Sequence, residues 1–109
     1  MLREDLTFVG TCDIAGLVRG KGFPSTELPA RRKSGIGWTH SNLMQTCFGP
    51  IFDTPFGTAG DLMIVPDPSA EVHVDFRDGS APEHFFLGDI RNTDGSSWEC
   101  CVRAFLRRA

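Results

Sequence analysis

The sequence predicts an α+β fold, because strand patterns and short helical patterns occur in separate stretches of the same chain. Residues 6–14 and 71–77 alternate apolar and polar side chains with a period of two, which is typical of half-buried strands. Residues 24–33 carry cap residues followed by helix formers, which indicates a helix of about two turns. At 109 residues the chain has the length of one domain.

The first strand pattern continues into a β-hairpin over residues 6–24. Gly16 can turn the chain, since glycine accepts a positive φ without steric cost, and Pro24 ends the second strand because it lacks an amide donor. One side of the first strand carries Leu6, Phe8, Cys12 and Ile14. The other side carries Thr7, Val9, Thr11 and Asp13.

The predicted helix ends near Ser34 and Gly35, and a short strand follows over residues 36–40. The basic run 31–33 is interpreted as a solvated helix C-terminus, whose dipole favours positive charge, and not as a phosphate site. Residues 41–59 show no clear periodicity and are predicted to form a loop.

The second half is predicted to form strands over 61–65, 71–77 and 84–90, with turns at 66–69 and 78–80 and a linker over 92–96. A helical spacing of apolar residues then follows: Trp98, Val102, Phe105, Leu106 and Ala109. Because this pattern is still running at the last residue, we expect the natural protein to continue beyond it.

Composition excludes several classes of function. The formal charge of −3 gives no reason to expect nucleic acid or an anionic membrane as a partner. No apolar run approaches the roughly 18 residues of a membrane span, and the N-terminus has no signal-peptide pattern, so a cytoplasmic location is expected. The four cysteines, Cys12, Cys47, Cys100 and Cys101, form no C-x-x-C pair and are expected to be reduced thiols.

The sequence gives little support to two candidate sites, a phosphate-binding loop and a zinc site. The glycine run over 16–22 fails the spacing of a P-loop, and Gly22 stands where Ser or Thr would hold Mg²⁺. Its glycines are expected to admit another backbone at close range, for instance that of another subunit. The histidines His40, His73 and His84 lack partners at the spacing of a zinc site, so no metal site is expected, and His73 should be exposed.

Three ordered patches resemble one family. The family is that of the glutamine synthetases, whose N-terminal domain the patches resemble. The patches are DIAGLVRGKGFP at 13–24, GDLMIVPDPS at 60–69, and GDI at 88–90 with Asp94-Gly95. The resemblance implies a β-grasp fold, with a mixed sheet of about five strands and one crossing helix. It places this domain at 1–96 and makes 97–109 a linker and the start of the first helix of a C-terminal catalytic domain.

The resemblance also implies a function for the parent protein. Such a protein would be an ATP- and Mg²⁺- (or Mn²⁺-) dependent ligase of nitrogen metabolism, which activates the γ-carboxylate of glutamate as an acyl phosphate for attack by ammonia or an amine. Its partners would be the catalytic domain and neighbouring subunits of a ring homo-oligomer. The chain alone would bind no cofactor and catalyse nothing.

The family's loop "FDGSS", which reaches the neighbouring active site, is matched by Trp38, Thr39, His40, Ser41 and Asn42. Thr39 then stands at the Asp that helps to bind and deprotonate ammonium, a task that a neutral hydroxyl cannot perform. The loop is therefore similar to that of the γ-glutamylpolyamine synthetase-like branch. Arg19 and Lys21 are candidates for subunit contact. Three alternatives stay open: a loop that only packs Trp38 into a subunit contact, a stand-alone β-grasp interaction module, and a catalytically inactive paralogue.

Overall fold

A computed structural model describes residues 5–50, 53, 55 and 60–109, and it shows the predicted α+β fold, with a β-grasp arrangement. Five strands form one mixed sheet in the order β2-β1-β5-β4-β3. Their bounds are Leu6–Cys12 (β1), Val18–Pro24 (β2), Ile36–Trp38 (β3), Leu62–Val74 (β4) and Glu83–Asn92 (β5). Strands β1 and β5 pair in parallel, and the other neighbours are antiparallel.

The predicted hairpin is confirmed, with Leu6 opposite Pro24 and Cys12 opposite Val18. Its alternation is also confirmed, and the buried side is the one with threonines. Thr7, Val9, Thr11 and Asp13 are buried, whereas Leu6, Phe8 and Ile14 are exposed on the other side. The hairpin therefore shows an apolar face to solvent.

The predicted helix is present and crosses the sheet. A 3₁₀ turn over Ser25–Glu27 leads into helix α1, Leu28–Ser34, which ends at Gly35 with a φ of 71°. A Cβ at Gly35 would lie 2.4 Å from the Ile64 carbonyl oxygen, so the helix can approach β4 only with glycine there. Arg31 lies over the Phe23 ring and Arg32 over the Phe86 ring, which places α1 across β2 and β5.

The turn predicted at 66–69 is wrong. Strand β4 continues through these residues, and its register against β5 shifts between Pro66 and Glu71. Pro68 lacks an amide donor and Asp67 bonds the Ser69 amide and hydroxyl, so a bulge absorbs the irregularity while pairing resumes beyond it. Strand β4 thus joins the strand predicted at 61–65 to the first part of the one predicted at 71–77, and it ends at Val74.

The C-terminal helix α2 spans Val102–Arg108 and is shorter than its sequence pattern. Ala104 is its buried residue, whereas Val102, Phe105 and Leu106 are exposed. The apolar spacing of the sequence therefore marks a face of α2 that does not pack on the sheet. Cys101 and Trp98, just before the helix, lie in the core with ten other side chains: Val9, Phe23, Ile36, Trp38, Leu43, Leu62, Ile64, Phe86, Ile90 and Ala104.

The loop predicted over 41–59 contains a 3₁₀ turn, His40–Met44, and a hydrogen-bonded turn at Thr46–Pro50. Positions 51, 52, 54 and 56–59 of that loop lie outside the described residues. All four cysteines are free thiols. No helix in the described ranges is long and apolar enough to cross a membrane.

Candidate functional site at the seam of the sheet

Side chains of the edge strands β2 and β3 meet because the sheet is nearly closed, and we call their meeting point the seam. Neighbouring strands lie about 4.8 Å apart, so a flat five-stranded sheet would separate its edges by roughly 19 Å. In this chain the Lys21 ammonium of β2 lies 5.9 Å from the centre of the Trp38 ring of β3. The sheet is therefore strongly curled. A subunit-contact candidate and a loop candidate from the sequence meet here.

The segment after β3 ties the seam to the tip of the hairpin. The Ile14 amide donates to the Leu43 carbonyl at 3.1 Å, and the Leu43 side chain is buried. The Arg19 guanidinium donates to the Thr46 carbonyl, also at 3.1 Å. These contacts fix the loop that follows Trp38 against the β1–β2 connection.

The tip itself is held by a buried ion pair between Asp13 and Arg19. The Asp13 carboxylate also accepts from the Leu17 amide at 2.9 Å and is only 2% exposed. Burial acts to raise the pKa of Asp13, but the hydrogen bonds from Arg19 and Leu17 outweigh it and hold that pKa below its usual value. The carboxylate therefore stays charged and keeps Arg19 in place.

The candidate loop residues divide into anchored and accessible ones. Trp38 and Ser41 are each 7% exposed, whereas Thr39 and His40 are half-buried. The Thr39 and Ser41 hydroxyls lie 3.2 Å apart, within hydrogen-bond distance. The His40 ring stands edge-on to Trp98, with centroids 5.5 Å apart. The Trp38 indole N–H is buried without a hydrogen-bond acceptor among the described residues.

The structure thus brings the loop, Arg19 and Lys21 to one seam. Asp13 and Leu43 were not identified as site residues from the sequence, although they hold this arrangement together. Asp13 could have been found, because the predicted hairpin places residues 13 and 19 on opposite sides of one turn. Leu43 gave no signal, since it lies in a stretch without periodicity.

The glycine run lies in the hairpin and does not form a strand–loop–helix phosphate site. A Cβ at Gly20 would lie 1.9 Å from the Val9 carbonyl oxygen, so the backbone that approaches this glycine is that of β1. Within the described ranges, no three His, Cys, Asp or Glu side chains are grouped to hold a metal ion.

Comparison with known proteins gives a family match for the chain. Residues 3–98 match the model of the glutamine synthetase N-terminal domain. No curated protein sequence matches the chain. A crystal structure described as a novel glutamine synthase homolog is 33% identical, with a TM-score of 0.92 over 99% of this chain.

Two further structures are similar in fold. Apo GmaS is 17% identical with a TM-score of 0.69, and the GmaS/ADP complex is 16% identical with a TM-score of 0.68, each over 94% of this chain. The chain spans 26% of the homolog and 21% of each GmaS chain. It therefore corresponds to about a quarter or less of these proteins.

Proposed function

Because the chain belongs to the glutamine synthetase family, as its N-terminal domain, we propose that it serves an ATP-dependent ligase that joins glutamate to ammonia or an amine. In this proposal, residues 97–109 lead into a catalytic domain outside the chain. In this proposal that domain holds ATP and the Mg²⁺ or Mn²⁺ ions, as the family resemblance implies.

The domain's role in this proposal is to supply the loop at Trp38–Ser41 to the active site of a neighbouring subunit in a ring. The observation that carries it is the anchoring of this loop: Trp38 and Ser41 are buried, while Thr39 and His40 between them are half-buried. A wall of a shared site must keep its shape before substrate arrives, and buried anchors provide that. The exposed apolar residues Ile14 and Leu17 at the hairpin tip favour contact with another protein surface.

The chemistry of the wall follows from Thr39. A threonine hydroxyl can donate or accept one hydrogen bond, but it carries no charge and is no base near neutral pH. The wall can therefore position an uncharged amine or ammonia by a hydrogen bond, but it cannot bind ammonium by charge. We take an amine as the acceptor because positions 38–41 lack a carboxylate, as in the γ-glutamylpolyamine synthetase-like branch that the loop resembles.

The test uses the full-length protein that carries this domain and measures phosphate release with glutamate, ATP and either ammonia or an amine series. We expect an amine to be preferred, Thr39→Ala to raise KM for the amine, and Thr39→Asp to improve the use of ammonia. Thr26→Ala, at an exposed threonine in the 3₁₀ turn before α1, is the matched control and should change neither.

Two outcomes would overturn the proposal. Preference of the unmodified protein for ammonia contradicts the role assigned to Thr39. Phosphate release by the 109-residue chain alone contradicts the assignment of catalysis to protein outside it. A full-length protein that turns over none of these substrates would instead favour an interaction module or an inactive paralogue.

A further inference from the structure

The His40 ring contacts two segments of the chain that are far from it in sequence. Its centroid lies 5.5 Å from that of the Trp98 ring, and the two rings meet edge to face at 63°. At Gly60, a Cβ would lie 2.3 Å from Cε1 and 2.5 Å from Nδ1 of His40, so the ring packs against the bare backbone of that glycine. Close packing of this kind leaves a ring little freedom to change its rotamer.

Trp98 is a fixed support for this ring. Its side chain is 4% exposed, and its amide donates to the Ile90 carbonyl of β5 at 3.2 Å. Its carbonyl accepts from the Cys101 amide at 3.0 Å, and the Cys101 carbonyl accepts from the Phe105 amide of α2 at 2.9 Å. The His40 ring is therefore packed on the junction between the sheet and α2.

Thr39 is held by long hydrogen bonds. It is half-buried and precedes the 3₁₀ turn with an extended backbone, at φ −132° and ψ 154°. Its carbonyl accepts from the Asn42 amide at 3.3 Å, and its hydroxyl lies 3.2 Å from that of Ser41. Both distances lie at the long end for such bonds, so they fix the direction of Thr39 only weakly. The adjacent His40 ring, packed on two fixed groups, can fix it more firmly.

We propose that His40 is a positioning residue: its ring, packed on Trp98 and Gly60, fixes the direction in which Thr39 presents its hydroxyl to the acceptor amine. The inference rests on the proposed function, in which Thr39 faces that amine. A hydroxyl binds an amine well only where it points at the nitrogen, and firm support of the next residue provides that direction. Because the support is the segment before α2, each subunit aligns the loop with its own junction to α2.

Hydrogen exchange tests the positioning without any activity. The Asn42 amide donates to the Thr39 carbonyl and should exchange faster when Thr39 is less well held. In the 109-residue chain, NMR should show this exchange about fivefold faster in His40→Ala and close to the wild-type rate in His40→Phe, which keeps an aromatic ring. His84→Ala is the matched control, since it removes another half-buried histidine with a ring contact, at the start of β5.

In the full-length protein, KM for the amine separates positioning from direct contact with the substrate. His40→Ala should raise KM about fivefold with little change in kcat, whereas His40→Phe should keep KM within about twofold of the wild type. His40→Gln retains a hydrogen-bonding side chain without a ring and should behave like His40→Ala. A KM that His40→Gln retains and His40→Phe loses would show that the imidazole nitrogens act on the substrate, and the proposal would be wrong.

A double mutant tests whether His40 acts through Thr39. Once Thr39→Ala has removed the hydroxyl, His40→Ala should raise KM no further. Increases in KM that multiply in the double mutant, or an Asn42 exchange rate that His40→Ala leaves unchanged, would overturn the inference. Faster exchange together with a KM that Thr39→Ala does not change would instead contradict the proposed function, since the ring would then position a residue that no substrate contacts.

Discussion

The hairpin tip and helix α2 are both attached by aspartate–arginine pairs, but the two attachments differ in depth. At the tip, one carboxylate that is 2% exposed faces one arginine within the same hairpin. At α2, Arg103 bonds Asp89 at 2.9 Å and Asp67 at 3.0 Å, with carboxylates that are 16% and 18% exposed. Arg107 adds a bond to Asp89 at 2.9 Å and is 56% exposed.

The comparison shows that similar aspartate–arginine pairs have different structural roles at the tip and at α2. A buried charge whose partner is removed is left without compensation, so the tip depends on its single pair. At α2 water screens part of each interaction, and several weaker pairs share the attachment. The tip pair fixes a local turn, whereas the α2 network joins β5, the β4 bulge and the helix. Asp67 and Asp89 of this network belong to two of the sequence patches described above, GDLMIVPDPS at 60–69 and GDI at 88–90.

The largest expected effect comes from the tip. Asp13→Ala leaves Arg19 without its carboxylate and the Leu17 amide without its acceptor, and should lower the free energy of unfolding by about 3 kcal/mol. Urea denaturation measures the change, with Asp61→Ala at an exposed aspartate as the control. If Asp13→Ala lowered the free energy of unfolding no more than Asp61→Ala does, the tip would not depend on its buried ion pair.

A smaller effect is expected at α2. Arg103→Ala removes two ion pairs at once and should cost about 1–2 kcal/mol, while Arg107→Ala at the exposed end should cost less, because solvent screens its ion pairs. The same denaturation measurement, with Arg108→Ala as the control, checks the order. If Arg107→Ala cost as much as Arg103→Ala, exposure would not be what distinguishes the two arginines.

Acid should also weaken the α2 network. Hydrogen bonds from the Ser69 hydroxyl and amide, and then from Arg103, lower the pKa of Asp67 to about 2. Because the folded pKa lies below the unfolded value of about 3.9, this stabilisation is complete only above about pH 5 and is lost as the pH falls towards 2. The stability difference between the wild type and Asp67→Asn should therefore shrink by roughly 1.5–2 kcal/mol between pH 6 and pH 2.5. An equal difference at both pH values would contradict this.

Much of the fold was predictable because local rules fix it. The alternation of β1, the Gly16 turn and the end of α1 at Gly35 each depend on neighbouring residues alone. The continuity of β4 was not predictable, since it depends on pairing with β5 on both sides of Pro68. The sequence also did not show which side of β1 and of α2 faces solvent. Thr7 and Ala104 are buried because they face tertiary partners, and hydrophobicity alone does not identify those partners.

The seam was predictable only in its parts. The family resemblance marked Trp38 to Ser41, and the hairpin motif marked Arg19 and Lys21. Their meeting depends on the curl of the whole sheet, a property that no local pattern contains. Leu43, which locks the loop to Ile14, has no sequence neighbour that would identify it.

The parallel pairing of β1 with β5 has a consequence for the order of folding. Phe8 lies beside Phe85, so the central strand pair joins the beginning of the chain to its last quarter. During synthesis the first hairpin must wait, with its inward face uncovered, until that late segment has left the ribosome. The sheet is thus completed from its middle, by the strand that arrives last.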